Sequence, residues 1–146
     1  MSNFIRNDKL MNGFAASSST STAKTGATVV TITSSTVTGF AEEFDTHGTF
    51  DPATGRFTPT VAGYYSFQSS ITGSALATAA IAYFRKNGTV IDTDRSAQIS
   101  GAATVSPHGT VYMNGSTDYV DFAFDPAGDT AYNIFSVRIE GVLEGI

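Results

Sequence analysis

Between Phe44 and Phe67 the chain reads FDTHGTFDPATGRFTPTVAGYYSF, and this stretch constrains the fold more than any other. Within it, Asp51-Pro52-Ala53-Thr54-Gly55 is turn chemistry: proline presets its own φ, and glycine is free to take φ > 0, so the chain must reverse. Arg56-Phe57-Thr58-Pro59 is then a short strand stopped by a proline. Gly63-Tyr64-Tyr65-Ser66-Phe67 opens another, with Tyr65 and Phe67 on one face.

The same two-residue period runs through most of the chain. Thr28 to Thr33 and Thr36 to Phe44 carry β-branched and aromatic residues at strand spacing. Phe135, Val137, Ile139, Gly141 and Leu143 share one face of a final strand, opposite Ser136, Arg138 and Glu140. Val120, Phe122 and Phe124 alternate in the same way with Tyr119, Asp121 and Ala123. Ala75 to Ala82 is open between helix and strand by composition, and no segment has a capped 3.6-residue period. Ser17 to Thr25 is low-complexity and polar and reads as a flexible loop. Asn87-Gly88, Asn114-Gly115 and Asp125-Pro126-Ala127-Gly128 add turns, the two Asn-Gly pairs as hairpins needing φ > 0. The expectation is an all-β chain folded as a two-sheet jelly-roll β-sandwich of many short strands.

Phe50-Asp51, Thr54-Gly55, Phe57-Thr58, Gly63, Tyr65 and Phe67 together resemble the signature of the C1q/TNF-like domain. The resemblance extends to Phe14-Ala15-Ala16-Ser17 as a first strand and to Phe84-Arg85-Lys86-Asn87-Gly88 as a hairpin. It continues with Asp118-Tyr119-Val120-Asp121-Phe122, and with Ile139-Glu140-Gly141-Val142-Leu143 at the end, where Ile139 stands for the usual Phe. It implies a domain over residues 14–146 that forms a homotrimer, preceded by an N-terminal arm at residues 1–13. Tyr64, Tyr83 and Tyr119 alternate away from the family's inward positions and are the candidate intersubunit contacts.

At 146 residues the chain is long enough to bury about 70% of its unfolded surface without disulfides or a metal. It has no cysteine, a net charge of −5 and scattered basic residues, which disfavours nucleic acid and anionic membrane as partners. Charged residues are only 14% of the chain, the makeup of a β surface covered by small hydroxyl side chains or hidden by neighbouring subunits. Met1 to Lys9 carries charges where a signal peptide needs its apolar region, and no run is long enough to insert in a membrane. Phe4, Ile5, Leu10 and Met11 make the arm more apolar than a solvating tail. It reads either as a grip on a neighbouring surface or as a frayed terminus.

His47 and His108 both adjoin glycine in turn-like surroundings, and no Gly-x-Ser-x-Gly elbow, phosphate-binding glycine motif or His/Cys metal motif accompanies them. No catalytic residue and no cofactor is therefore assigned. Asp118, Asp121, Asp125 and Asp129 crowd one strand and its following turn, and Asp92 and Asp94 sit in another hairpin. Such oxygen-rich loops can hold calcium, but their spacing matches no dedicated calcium loop, so solvated turn carboxylates are the preferred reading. Asn87-Gly88-Thr89 and Asn114-Gly115-Ser116 satisfy the glycosylation sequon, but without an export signal the turn reading is preferred.

The resemblance points to a non-enzymatic trimeric head. Familiar animal members carry an export signal and a Gly-X-Y stalk, and this chain shows neither. It looks like a microbial or bacteriophage virion component, made in the host cytoplasm: a capsid cement or decoration protein whose arm grips a capsid or other virion protein. The alternative is a ligand-binding head, a fibre tip or adhesin, reading a cell-surface glycan or protein through Asp92 to Ser100 or Asp125 to Thr130.

Overall fold

In the computed structural model, which describes residues 12–97 and 100–145, every regular element is a β-strand. The first five are β1 (Gly13–Ser18), β2 (Thr22–Thr25), β3 (Val30–Thr31), β4 (Ala41–Asp45) and β5 (Phe50–Asp51). After β6 (Arg56–Phe57) come the long β7 (Gly63–Leu76), then β8 (Ile81–Lys86), β9 (Thr89–Arg95) and β10 (Gly101–Val105). The chain ends with β11 (Gly109–Met113), β12 (Val120–Asp125) and β13 (Ala131–Gly145).

They form two antiparallel sheets. The first runs β10-β7-β13-β1-β4, with β11 also on β7 and β2 also on β13. The second runs β5-β6-β12-β8-β9, with β3 also on β12. Because β7 and β13 are long and lie side by side, each serves two shorter strands in succession along its far edge.

The turn at Pro52 to Gly55 forms as its chemistry dictates. The N–H groups of Thr54 and Gly55 both donate to the Asp51 carbonyl, and Gly55 takes φ +71°. A side chain there would also collide with the Ile32 carbonyl. The hairpin sets Phe50 opposite Phe57, and both rings enter the space between the sheets. Phe14 stacks on each, at 4.4 and 4.6 Å between centroids. The aromatic chain continues through Phe57, Phe67, Phe84 and Phe122, with neighbouring centroids 5.2 to 5.9 Å apart. Tyr65 and Phe67 are both buried, as their shared face requires. Burying rings of this size on one face of each sheet is the dominant force closing the sandwich.

Four local expectations give way to tertiary structure. Thr36 to Phe40 is no strand: residues 34–39 turn, and β4 begins only at Ala41. The Thr36 hydroxyl donates to the Thr31 carbonyl and accepts from the Thr33 N–H, the competition by which hydroxyl side chains displace ladder pairing. Conversely, Thr22 to Thr25 in the supposed flexible loop is strand β2, paired with Ala131 to Ile134. Hydroxyl bridges from Ser18 and Thr22 to the Thr38 backbone hold it in place without apolar burial. On β13 a register shift between Ile134 and Ser136 turns Phe135 outward, 38% exposed, while Ile134 takes the core position. Asn87-Gly88 does form the β8–β9 hairpin with φ values of 51° and 83°. Asn114-Gly115 instead starts the crossover from β11 in one sheet to β12 in the other.

Candidate functional site

The outer face of the first sheet is built from residues that point away from the core on β7, β11, β13, β1 and β4. Along β7 these are Tyr64, Ser66, Gln68, Ser70 and Thr72, alternating with the buried Tyr65, Phe67 and Ile71. The hydroxyls pair across strands: Ser66 with Thr110 at 2.8 Å and Thr72 with Thr104 at 2.7 Å. Such side chains satisfy one another and leave a flat face of low charge. Arg138 supplies the main ion pairs on it, bridging Glu43 of β4 and Glu140 of its own strand. Those carboxylates, Glu140 foremost, raise the Arg138 pKa further above its ordinary value.

At one end of this face large apolar groups are open to solvent. Tyr64 and Tyr112 are 55% and 47% exposed and meet edge to face with centroids 5.4 Å apart. Phe44 and Val142 flank a shallow groove beside Ser66 and Gln68. Ala15 lies beneath Phe44 in register and is fully buried although it points outward.

The other two candidate tyrosines lie on the second sheet. Tyr83 of β8 donates its hydroxyl to Asp125, and burial, followed by that bond, raises its pKa. Tyr119, just before β12, carries the Arg56 guanidinium 4.0 Å above its ring. The structure therefore brings Tyr64 together with Tyr112, a partner that sequence alternation did not single out, and sets Tyr83 and Tyr119 on the opposite sheet. Phe4, Ile5, Leu10 and Met11 lie outside the described residues. Asn12 and Gly13 are already part of the fold: Asn12 is buried with its amide donating to the Tyr65 hydroxyl, and Gly13 pairs with Val142.

The aspartates turn out to be structural acceptors. Asp92 and Asp94 take the backbone N–H groups of His108 and Ser106, tying the irregular link between β10 and β11 to β9. Asp129 accepts from Ala77 N–H, Asp125 from Tyr83 and Ala127, and Asp121 holds Arg85 bidentately. Asp118 accepts from the Asn87 amide, the Asn114 N–H and Lys86, which together lower its pKa, the Asn87 bond most. Among the described residues no group of three His, Cys, Asp or Glu side chains is placed to hold a metal ion. His47 contacts the Thr46 hydroxyl, and His108 is exposed.

The two sheets, their strand order and the Phe-lined core define a jelly roll of the C1q/TNF-like type. No protein-family model matches the chain, and no curated protein does. Solved structures match it over nearly its whole length. The globular domain of zebrafish complement 1qA protein is similar with a TM-score of 0.67 at 15% identity, covering 91% of this chain and 97% of that one. Murine APRIL at pH 5.0 is similar with a TM-score of 0.65 at 8% identity, over 90% of this chain and 98% of that one. The Eiger TNF structure from S. frugiperda has a TM-score of 0.55 at 9% identity, over 92% and 95%. At such identities the likeness is one of fold.

Proposed function

We propose that this protein is a non-enzymatic head that self-associates as a trimer through the outer face of its first sheet and serves as a surface component of a larger particle. The observation that carries the reading is that face itself. It is broad, rich in small hydroxyls and low in charge, and Tyr64, Tyr112, Phe44 and Val142 lie exposed at one end. Exposed aromatic and apolar groups on a surface poor in charge are the composition of an interface core. A three-fold ring joins two different patches of each subunit, so the tyrosine pair would meet a non-identical surface on its neighbour.

The experiment is native mass by light scattering across a dilution series. Three copies of the 15.3 kDa chain make 45.9 kDa, and a mass holding near that value supports the assembly. Tyr64→Glu together with Tyr112→Glu should release monomers, because each introduced charge would have to be desolvated. A parent protein that stays at the mass of one chain would overturn the trimer.

The finer version places the trimer on a virus particle, as a phage capsid decoration protein held by the arm. What supports it is sequence: Phe4, Ile5, Leu10 and Met11 give a short segment an apolar character suited to gripping a shell protein. The informative deletion is residues 1–11, because removing Gly13 would break its pairing with Val142. The shortened chain should keep the parent's mass and lose co-sedimentation with capsids; undiminished co-sedimentation would refute the arm's role.

A further inference from the structure

The second sheet carries a cleft that the assembly proposal does not use. Four separate stretches of chain wall it: Thr31 of β3 with Thr33 just beyond it, the Pro52 to Gly55 turn running into Arg56, β8 with Arg85, and the start of β12 with Tyr119 before it and Asp121 in it. Its volume of about 420 Å³ suits a ligand of monosaccharide size.

Two arginines meet here in different states. Arg85 is neutralised: its Nε donates to Asp121 at 2.7 Å, and Nη2 donates to the second Asp121 oxygen at 2.9 Å and to the Thr31 hydroxyl at 3.0 Å. Asp121 is itself only 6% exposed, so the fork is fixed in place. Arg56 is exposed and makes no ion pair among the described residues. Its guanidinium instead lies on the Tyr119 ring. Stacking orients a planar guanidinium while leaving its edge donors free, the arrangement that accepts a carboxylate bidentately.

Around this single uncompensated charge the lining is hydroxylic. The Thr54 hydroxyl can donate and accept, and the Thr31 hydroxyl, which accepts from Arg85, keeps its own proton to donate, while the Thr33 hydroxyl is turned to Ser35 and Thr36. A ligand with several hydroxyls matches such a wall, and a ligand with one negative charge matches one free guanidinium. A phosphate, carrying more charge, would call for a second unpaired cation, and Arg85 is already taken by Asp121.

We infer that this cleft binds a carboxylate-bearing sugar of the uronic acid class, with Arg56, stacked on Tyr119, reading the carboxylate and the threonine hydroxyls reading the ring. The inference goes beyond the assembly reading and is independent of it. Every lining residue comes from one chain, on the sheet opposite the face proposed for the trimer. The net charge of −5 offers no long-range attraction for an anion, so recognition rests on Arg56 locally. Affinity is expected in the millimolar range for a ligand this small, weakening with salt.

The test uses the full chain, labelled with nitrogen-15, titrated at constant ionic strength with sodium glucuronate, glucose and sodium sulfate, each to about 50 mM, well above a millimolar dissociation constant. Glucuronate should shift the amide resonances of Thr54, Arg56, Gly88 and Tyr119 saturably. Glucose and sulfate should each bind at least about fivefold more weakly, lacking the charge-assisted or the hydroxyl bonds respectively. Arg56→Ala should weaken glucuronate about tenfold or more, and Arg56→Lys, which keeps the charge without the fork, should recover only part of that. Arg95→Ala, opposite Ile81 at the far end of the β8–β9 pair from the cleft, should leave binding unchanged. An unaltered spectrum away from the cleft checks that each variant is folded. Absence of a saturable glucuronate shift, or a shift undiminished in Arg56→Ala, overturns the site. Sulfate matching glucuronate overturns the sugar assignment, and glucose matching it overturns the role of Arg56. Native mass recorded on the same samples keeps a failure of assembly distinct from a failure of binding.

Discussion

Gly141→Ala is a one-carbon test of how the sandwich closes. Gly141 stands between Phe14 and Phe67 in register across three strands, and the two rings fold over the space a side chain would fill. A Cβ there would lie 2.5 Å from two carbons of the Phe67 ring and 3.1 Å from Phe14. Ordinary carbon contacts are about 3.5 to 4.0 Å, so a ring must retreat by about 1 Å. Phe67 has nowhere to go: Phe57, Tyr65 and Phe84 surround it with centroids 5.9, 6.2 and 5.2 Å away. Overpacking of this kind costs about 1–3 kcal/mol, and the boxed ring puts the expectation at about 3, lowering the thermal midpoint by about 6–12 °C. Urea unfolding at fixed protein concentration measures it, because an assembling chain has a concentration-dependent midpoint. Gly145→Ala is the control: nothing lies within 4 Å of its Cβ, so its effect should stay within about 0.5 kcal/mol. Phe67→Leu makes room for the added methyl, and the double variant should be at least about 1 kcal/mol more stable than the sum of the single effects predicts. A Gly141→Ala protein within about 0.5 kcal/mol of the parent, or strict additivity in the double variant, would refute the reasoning.

Three other outcomes are expected. Ile134→Ala should cost about 2–4 kcal/mol and Phe135→Ala less than about 1 in the same urea assay; the reverse order would place the β13 bulge wrongly. The Tyr65 hydroxyl donates to the Val61 carbonyl at 2.8 Å, and burial pushes its pKa up to about 12. The unfolded phenol ionises near 10, so its contribution is whole below about pH 10 and is lost as pH rises through about 12. Tyr65→Phe should flatten the alkaline limb of stability against pH, and coincident limbs would sink this. Asp118 has a folded pKa below its unfolded value of about 3.9. Its contribution is present above that value and fades as pH falls through the lower folded one. The urea midpoints of the parent and Asp118→Asn should therefore differ at pH 6 and converge in acid; a gap constant with pH would contradict it.

At several turns and on the inward face of β7 the sequence was a good guide. The Asp51 to Gly55 reversal, the Asn87-Gly88 hairpin and the shared inward face of Tyr65 and Phe67 follow from φ preferences and the alternation of side chains, which are local properties. The candidate site was legible only in outline. Alternation marked Tyr64, Tyr83 and Tyr119 as outward, but nothing local could say that Tyr64 would meet Tyr112 or that the other two would lie on the opposite sheet. Arg56 and Tyr119 are 63 positions apart in sequence and meet because β6 and β12 are neighbours.

What this chain determined by itself was its all-β character, its chief reversals and the apolar residues available for a core. Tertiary structure decided where alternation would break. Phe135 lost its core place to Ile134 because the pairing of β13 with β7 shifts there. Thr36 left the strand for carbonyls made available by β3, and Thr22 to Thr25 became a strand because β13 offered an open edge. Each outcome depends on a hydrogen-bonding partner supplied by another segment, and a backbone N–H or carbonyl goes to whichever partner the closed fold brings within reach.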